Sequence, residues 1–258
     1  SNDVIIRNVK VISSYGWGDG LNVFASSNVL FDGVFCRNSD DCTTVYATRL
    51  GHKGSARNIT MQNATLWADV AHPIFIGIHG DAEYCDVIED LKYINIDILD
   101  HKEKQLDYQG CMAIAAGDNN VVRNVLFEDV VIDHITNGSL LTLRIFKNEK
   151  YCQAPGNTIE NITFRRIKAP KEGEISIIEG FSPERMVRNV MFEDLYIQIE
   201  SSFEHSVFVE KKENNSPVDE MLAFKILENF LLYVISESSP EYIRDVSLPA
   251  QRYTCVIN

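Results

Sequence analysis

The sequence predicts an all-β protein, a right-handed parallel β-helix (solenoid) with a C-terminal capping helix. Three observations predict it: a short motif recurs along the chain, its apolar residues alternate, and a second short apolar strand follows each copy. The motif reads Asn, aliphatic, any residue, aromatic or aliphatic, two polar residues, aliphatic. Copies begin at Asn8, Asn28, Asn58, Asn124, Asn161 and Asn189, with a weaker one at Asp90, so successive starts lie 20, 30, 32, 34, 37 and 28 residues apart. Self-similarity at such a period is the mark of a solenoid.

Each element follows from a local pattern. Within a copy the apolar residues recur every second position, the period of a strand. The intervening strands read Leu21–Ala25, Thr43–Ala47, Ile74–Ile78, Met112–Ala115, Leu140–Phe146 and Ile175–Ile178. The leading Asn occupies the same turn of every coil, where stacked amides bond along the axis. Asn58 and Asn161 also match the glycosylation pattern, which their place on this ladder makes coincidental. The repeat fades after about residue 202, giving a β-helix over 1–202 and a tail over 203–258. In the tail, Ser216-Pro217-Val218-Asp219-Glu220 reads as an N-cap, a first-turn proline and first-turn acids. The apolar residues from Met221 to Val234 then predict a helix near 217–236, covering strand edges that the solenoid would otherwise leave open.

Composition narrows the function. The 258 residues carry a net charge of −13 and are 45% hydrophobic, enough for a packed core. That charge argues against nucleic acid and against anionic membranes as partners. No apolar run reaches the roughly 18 residues of a membrane span. No leader is visible at Ser1 and the chain opens directly on Val4-Ile5-Ile6, from which we expect upstream residues to be missing. Of the six cysteines, Cys36 and Cys42 flank one short loop and could pair, while buried free thiols are the simpler reading.

The chemistry gathers at one register position, just before the second strand of consecutive coils. Gly18-Asp19-Gly20, Asn38-Ser39-Asp40-Asp41-Cys42 and Ala71-His72-Pro73 all stand there, with Asp40 21 residues after Asp19 and His72 31 residues after Asp41. A parallel stack sets Asp19, Asp40, Asp41 and His72 in a column. Carboxylates so close cannot all ionise freely, so at least one is driven toward its protonated form. A protonated acid beside an ionised carboxylate is what glycoside hydrolysis needs. Taken singly, Asp19 is also an ordinary turn cap, and His72 an ordinary interior histidine.

Gly-Asp-Gly, Asp-Asp-Cys one coil later, and His-x-Ile-x-Ile-Gly one coil after that resemble glycoside hydrolase family 28, the polygalacturonases and their relatives. The resemblance runs to about residue 200. It implies a glycosidase that needs no metal or cofactor and takes a polysaccharide or oligosaccharide as substrate, secreted or periplasmic. It implies that Asp40 is the general acid and that Asp19 and Asp41 hold and activate water, with inversion at the anomeric carbon. His72 matches the family's histidine. Trp17 could stack on a sugar ring. The family's Arg-Ile-Lys has no counterpart one coil after His72, where Gly110-Cys-Met-Ala-Ile-Ala-Ala-Gly stands; the nearest likeness is Leu143-Arg144-Ile145-Phe146-Lys147. Arg144 and Lys147 are therefore candidate substrate ligands, with a solvated strand edge as their plain alternative. Arg49 on the loop that also holds Lys53, His79 as the surface-facing histidine of its strand, and Tyr108 at the cleft complete the candidates. Three other readings stay open: a non-catalytic carbohydrate-binding or structural β-helix, a dextranase-like hydrolase of a neutral glucan, and a Ca²⁺-dependent lyase.

Overall fold

A computed structural model describes residues 1–199, apart from 106–107, 171–172 and 175, together with short strands at 202–205, 208–211, 222–225, 232–235 and 255–256. The chain is a parallel β-helix. One sheet stacks β1 (Asn2–Arg7), β4 (Ser27–Asp32), β7 (Ala56–Ala68), β9 (Val87–Asp100), β11 (Val121–Ile132), β13 (Thr158–Pro170) and β15 (Val187–Ile199) in that order. β2 (Lys10–Ile12) and β5 (Phe35–Asn38) extend it, pairing with each other, and β5 continues onto the second half of β7. The other sheet stacks β3 (Leu21–Phe24), β6 (Thr43–Tyr46), β8 (Ile74–Gly77), β10 (Met112–Ala116), β12 (Leu141–Ile145) and β14 (Ser176–Glu179). All these pairings are parallel, and each coil contributes to both sheets.

Alternation in the sequence becomes inside and outside here. Phe31, Met61, Tyr93, Phe127, Phe164 and Phe192 hold one inward register, and all are buried. Their last four rings stack face to face, with centroids 5.2, 5.0 and 5.0 Å apart. Burying such rings one above another supplies a large share of a solenoid's stability, because each coil meets only its neighbours.

The asparagine ladder forms. Asn28 donates to Asp3 at 2.9 Å, Asn58 to Asn28 at 2.8 Å, Asn124 to Asp90 at 3.0 Å and Asn161 to Asn124 at 3.0 Å. Every rung has a positive φ, the left-handed turn that Asn and Asp tolerate best. The first coil corrects the sequence alignment. Ile5 pairs with Leu30, so Asp3 and not Asn8 stands above Asn28, and Asn8 belongs to a second left-handed row at Gly33 and Asn63.

The helix expected over 217–236 is not shown. Strands occupy 222–225 and 232–235, and the other residues of that span lie outside the described ones. The second of these strands adds to β14 in parallel. Leu232-Tyr-Val-Ile is rich in β-formers, and an apolar run of this length does not distinguish helix from strand by spacing alone. In the first sheet, among the described residues, the parallel stack ends at β15, which pairs antiparallel with 202–205 and with 255–256.

Candidate active site

The three acids and the histidine come together at the N-terminal ends of β3, β6 and β8. Leu21 pairs with Thr43 and Thr43 with Ile74, so Asp19, Asp41 and His72 share one register column, each two residues before its strand. This refines the spacing argument: Asp41, not Asp40, lies in register with Asp19. Backbone bonds fix the column, with Gly20 donating to the Asp41 carbonyl and Cys42 to that of His72, both at 2.8 Å. Gly20 must be a glycine. A Cβ there would lie 2.2 Å from the Cys42 carbonyl oxygen and 2.7 Å from Asn38 Oδ1.

One carboxylate oxygen from each of Asp19, Asp40 and Asp41 lies within 4.8 Å of the other two. Burial, then the charges of Asp41 and Asp19, push the Asp40 carboxyl up to about 6. Asp19 is raised as well, first by burial, although a 2.7 Å hydrogen bond from Asn22 and the charge of Arg49 oppose the rise. A set of oxygens this close is also one a divalent cation could bridge. One Asp41 oxygen is already committed, since it accepts both the His72 backbone N–H at 3.0 Å and His72 Nδ1–H at 2.7 Å.

His72 has no exposed surface. Its Nε2 faces the Tyr108 carbonyl oxygen while Nδ1 faces Asp41, so both ring nitrogens meet acceptors and the ring satisfies both only as imidazolium. Burial opposes that charge, but Asp41 and the Tyr108 carbonyl outweigh it and the ring's pKa is raised.

The other candidates fall in three places. Arg49 sits in a tight turn closed by paired backbone bonds with His52, and its guanidinium lies 3.4 Å from His79 Nδ1. His79 is buried rather than surface-facing, against the edge of the Tyr46 ring at 4.9 Å. Burial, then Arg49, lowers it to about 4, which leaves it neutral and able to accept from Arg49. Tyr108 is buried too, with its ring edge-on to His72 at 5.0 Å and stacked on Tyr151 at 5.3 Å. Trp17 stands in a turn with 90% of its surface exposed. Arg144 and Lys147 do not join the acids. Arg144, on β12, is ion-paired with Glu179 of β14, and Lys147 with Glu149 at 3.0 Å. Cys36 and Cys42 follow the simpler reading, free and buried.

Sequence spacing missed four residues. Asn22, which holds Asp19, stands three residues after it, a spacing that was available to read. Tyr46 backs His79. Tyr151 and Lys150 arrive on the loop after β12: Lys150 lies over the Tyr151 ring at 4.6 Å, and its raised pKa reflects Tyr151 first and then the carboxylates of Glu103 and Asp40. No local motif marks a loop residue that returns to the preceding coil.

Fold and site together define the class, a parallel β-helix carrying a three-carboxylate column beside a buried histidine. The chain belongs to the glycosyl hydrolases family 28, whose model matches residues 1–213. It is similar to a probable endopolygalacturonase A from Aspergillus parasiticus, 26% identical over 187 residues covering 69% of this chain and 47% of that protein. It is also similar to endopolygalacturonase B from Aspergillus niger, 25% identical over 169 residues covering 64% and 42%. The chain thus spans just under half the length of the curated relatives it matches. No solved structure is significantly similar to it. Among the described residues no helix is long and apolar enough to cross a membrane.

Proposed function

We propose that this chain carries the active site of a pectin-degrading hydrolase that cleaves galacturonan outside the cytoplasm. The observation that carries the reading is Asp40, held protonated to about pH 6 between two further carboxylates. Family membership and the printed activity of the relatives support the substrate class. Asp40 gives its proton to the glycosidic oxygen as the bond from that oxygen to the anomeric carbon breaks. Asp19 and Asp41 hold a water whose oxygen forms the new bond to that carbon, and one of them takes its proton. His72 is a positioning residue, which holds one Asp41 oxygen in place through its backbone N–H and its ring. Arg49, whose charge acts on Asp19, and Lys150, whose pKa is raised in part by Asp40, add positive charge near the column, suited to the carboxylates of a uronate chain.

Inversion is the stereochemistry that the family resemblance implies. One oxygen of each acid lies within 4.8 Å of the others, close enough for Asp19 and Asp41 to share one water. Reducing-end release from polygalacturonate, rhamnogalacturonan, dextran and pullulan, with EDTA present, tests the function for wild type and Asp40→Asn. Activity on the uronate polymers alone, surviving EDTA and lost in the variant, is the expected result. Activity on the glucans would favour the dextranase-like reading, abolition by EDTA the lyase, and no activity a binding protein.

A further inference from the structure

A second cleft lies on the same sheet as the acids, further along the helix axis. It has a volume of about 480 Å³ and is lined by Arg144, Phe146, Lys147, Glu149, Glu179 and Phe181 among others. The register places it. Gly77 of β8 pairs with Ala115, Ala115 with Arg144, and Arg144 with Glu179. Strands step by about 4.8 Å, so β12 and β14 lie about 10 to 15 Å along the axis from the strand behind His72. One loop joins the two places: its residues 146–149 line the cleft, while Tyr151 stacks on Tyr108, whose ring packs edge-on against His72.

We propose that this cleft is a remote subsite that binds an uncharged sugar residue of the same glycan chain whose linkage is cut at the acid column. The volume falls in the range of small-ligand sites, about 300–1,000 Å³. Its charges are already balanced, Arg144 by Glu179 and Lys147 by Glu149. A uronate entering here would meet the carboxylates of Glu179 and Glu149, and displacing Glu179 from Arg144 would leave a partly buried charge unpaired. An uncharged sugar leaves both pairs intact and uses their remaining donors and acceptors for its hydroxyls. Phe181, 36% exposed, and the mostly buried Phe146 offer apolar ring surface for the C–H face of a pyranose. Arg144 is in turn fixed over the Phe146 ring, 5.1 Å from its centroid. The cations near the acids thus select charge and the cleft selects its absence, which describes a partly esterified or mixed uronate and neutral-sugar polymer.

The inference rests on the glycan-hydrolase reading, so its test separates the two. Wild type, Phe181→Ala and Phe181→Tyr are assayed on galacturonide oligomers of three and eight residues that keep a free uronate at the scissile residue and carry methyl esters elsewhere, and on fully de-esterified oligomers of the same lengths. The proposal expects the ratio of kcat/KM for the long over the short esterified oligomer to fall about tenfold in Phe181→Ala and to return in Phe181→Tyr, with a smaller change on the de-esterified pair. An unchanged ratio, or an equal fall on both pairs, overturns it. If wild type cleaves none of them, the hydrolase reading has failed, and saturation-transfer NMR with the eight-residue esterified oligomer decides the cleft alone. Binding that Phe181→Ala weakens supports the subsite; equal binding overturns it.

Discussion

His72 grips a single oxygen of Asp41 twice, through its backbone N–H at 3.0 Å and through Nδ1–H at 2.7 Å, while its far nitrogen faces the Tyr108 carbonyl. One buried ring therefore ties three consecutive coils together and presents Asp41 in one orientation. The order and charge of the acid column depend on this contact.

Replacing the ring tests it. In His72→Gln one side-chain donor can still reach Asp41, but the positive charge is gone. We expect kcat to fall about 10²-fold, within the usual range for groups that support acid–base steps, with KM little changed. Because the folded-state pKa of His72 is raised, its contribution to stability is full below the unfolded value of about 6.5 and is lost as pH rises through the folded value. The gap in melting temperature between wild type and His72→Gln should therefore narrow from pH 5 to pH 9; a constant gap contradicts the ion pair.

Asp40 carries the opposite balance between activity and stability. Its folded pKa of about 6 lies above the ordinary carboxylate value, so the folded state holds a proton that the unfolded chain has released. Stability then declines as pH rises from about 4 to about 6. Asp40→Asn should melt higher than wild type at pH 7 and equally near pH 3, while losing about 10³-fold in rate. Thermal melts at the two pH values check this directly.

Gly20 is a packing prediction. An added methyl meets the backbone carbonyl of Cys42 first, as well as the buried Asn38 side chain, so adjacent coils must part. Gly20→Ala should cost at least ~1–3 kcal/mol in urea unfolding and abolish hydrolysis, since Asp19 precedes the displaced residue. Full activity in this variant would show that the coils do not approach as described.

The aromatic stack sets the mechanical core. Phe127 is fully buried between Tyr93 and Phe164. Phe127→Ala should cost about 3–5 kcal/mol, and the loss should appear in the denaturation midpoint without altering the pH profile of surviving activity.

Lys150 tests the positive charge near the column. Lys150→Gln should raise KM on polygalacturonate several-fold and weaken its salt dependence, with Lys150→Arg close to wild type. An unchanged KM places Lys150 outside the substrate path.

Much of this was legible in the sequence, for physical reasons. A solenoid repeats its local chemistry, so the Asn turns and alternating strands declared the coils from Asn28 to Asn189 before any pairing was known. The register of the first coil was not legible, because Asn8 occupies the second left-handed row and imitates the first. The pairing of Asp19 with Asp41 rather than Asp40 turns on a single residue of register, which spacing across a loop cannot resolve. The exposure of His79 was misjudged because alternation breaks at Gly77 and Ile78, both at positive φ. Lys150 and Tyr151 were hidden because their loop returns across coils to Tyr108. In the tail, the helix-start signal at 216–220 lies outside the described residues, and the apolar run after it includes strands at 222–225 and 232–235, because spacing alone does not separate helix from strand in such a run.

The central claim is that Asp40 is the acid that protonates the leaving oxygen. Its most direct test is the pH dependence of kcat/KM on polygalacturonate for wild type and Asp40→Asn. The account predicts that wild-type activity falls as pH rises through about 6, and that Asp40→Asn loses about 10³-fold together with that descending limb. Wild-type activity that is flat across pH 6, or an Asp40→Asn variant that retains its rate, would contradict it.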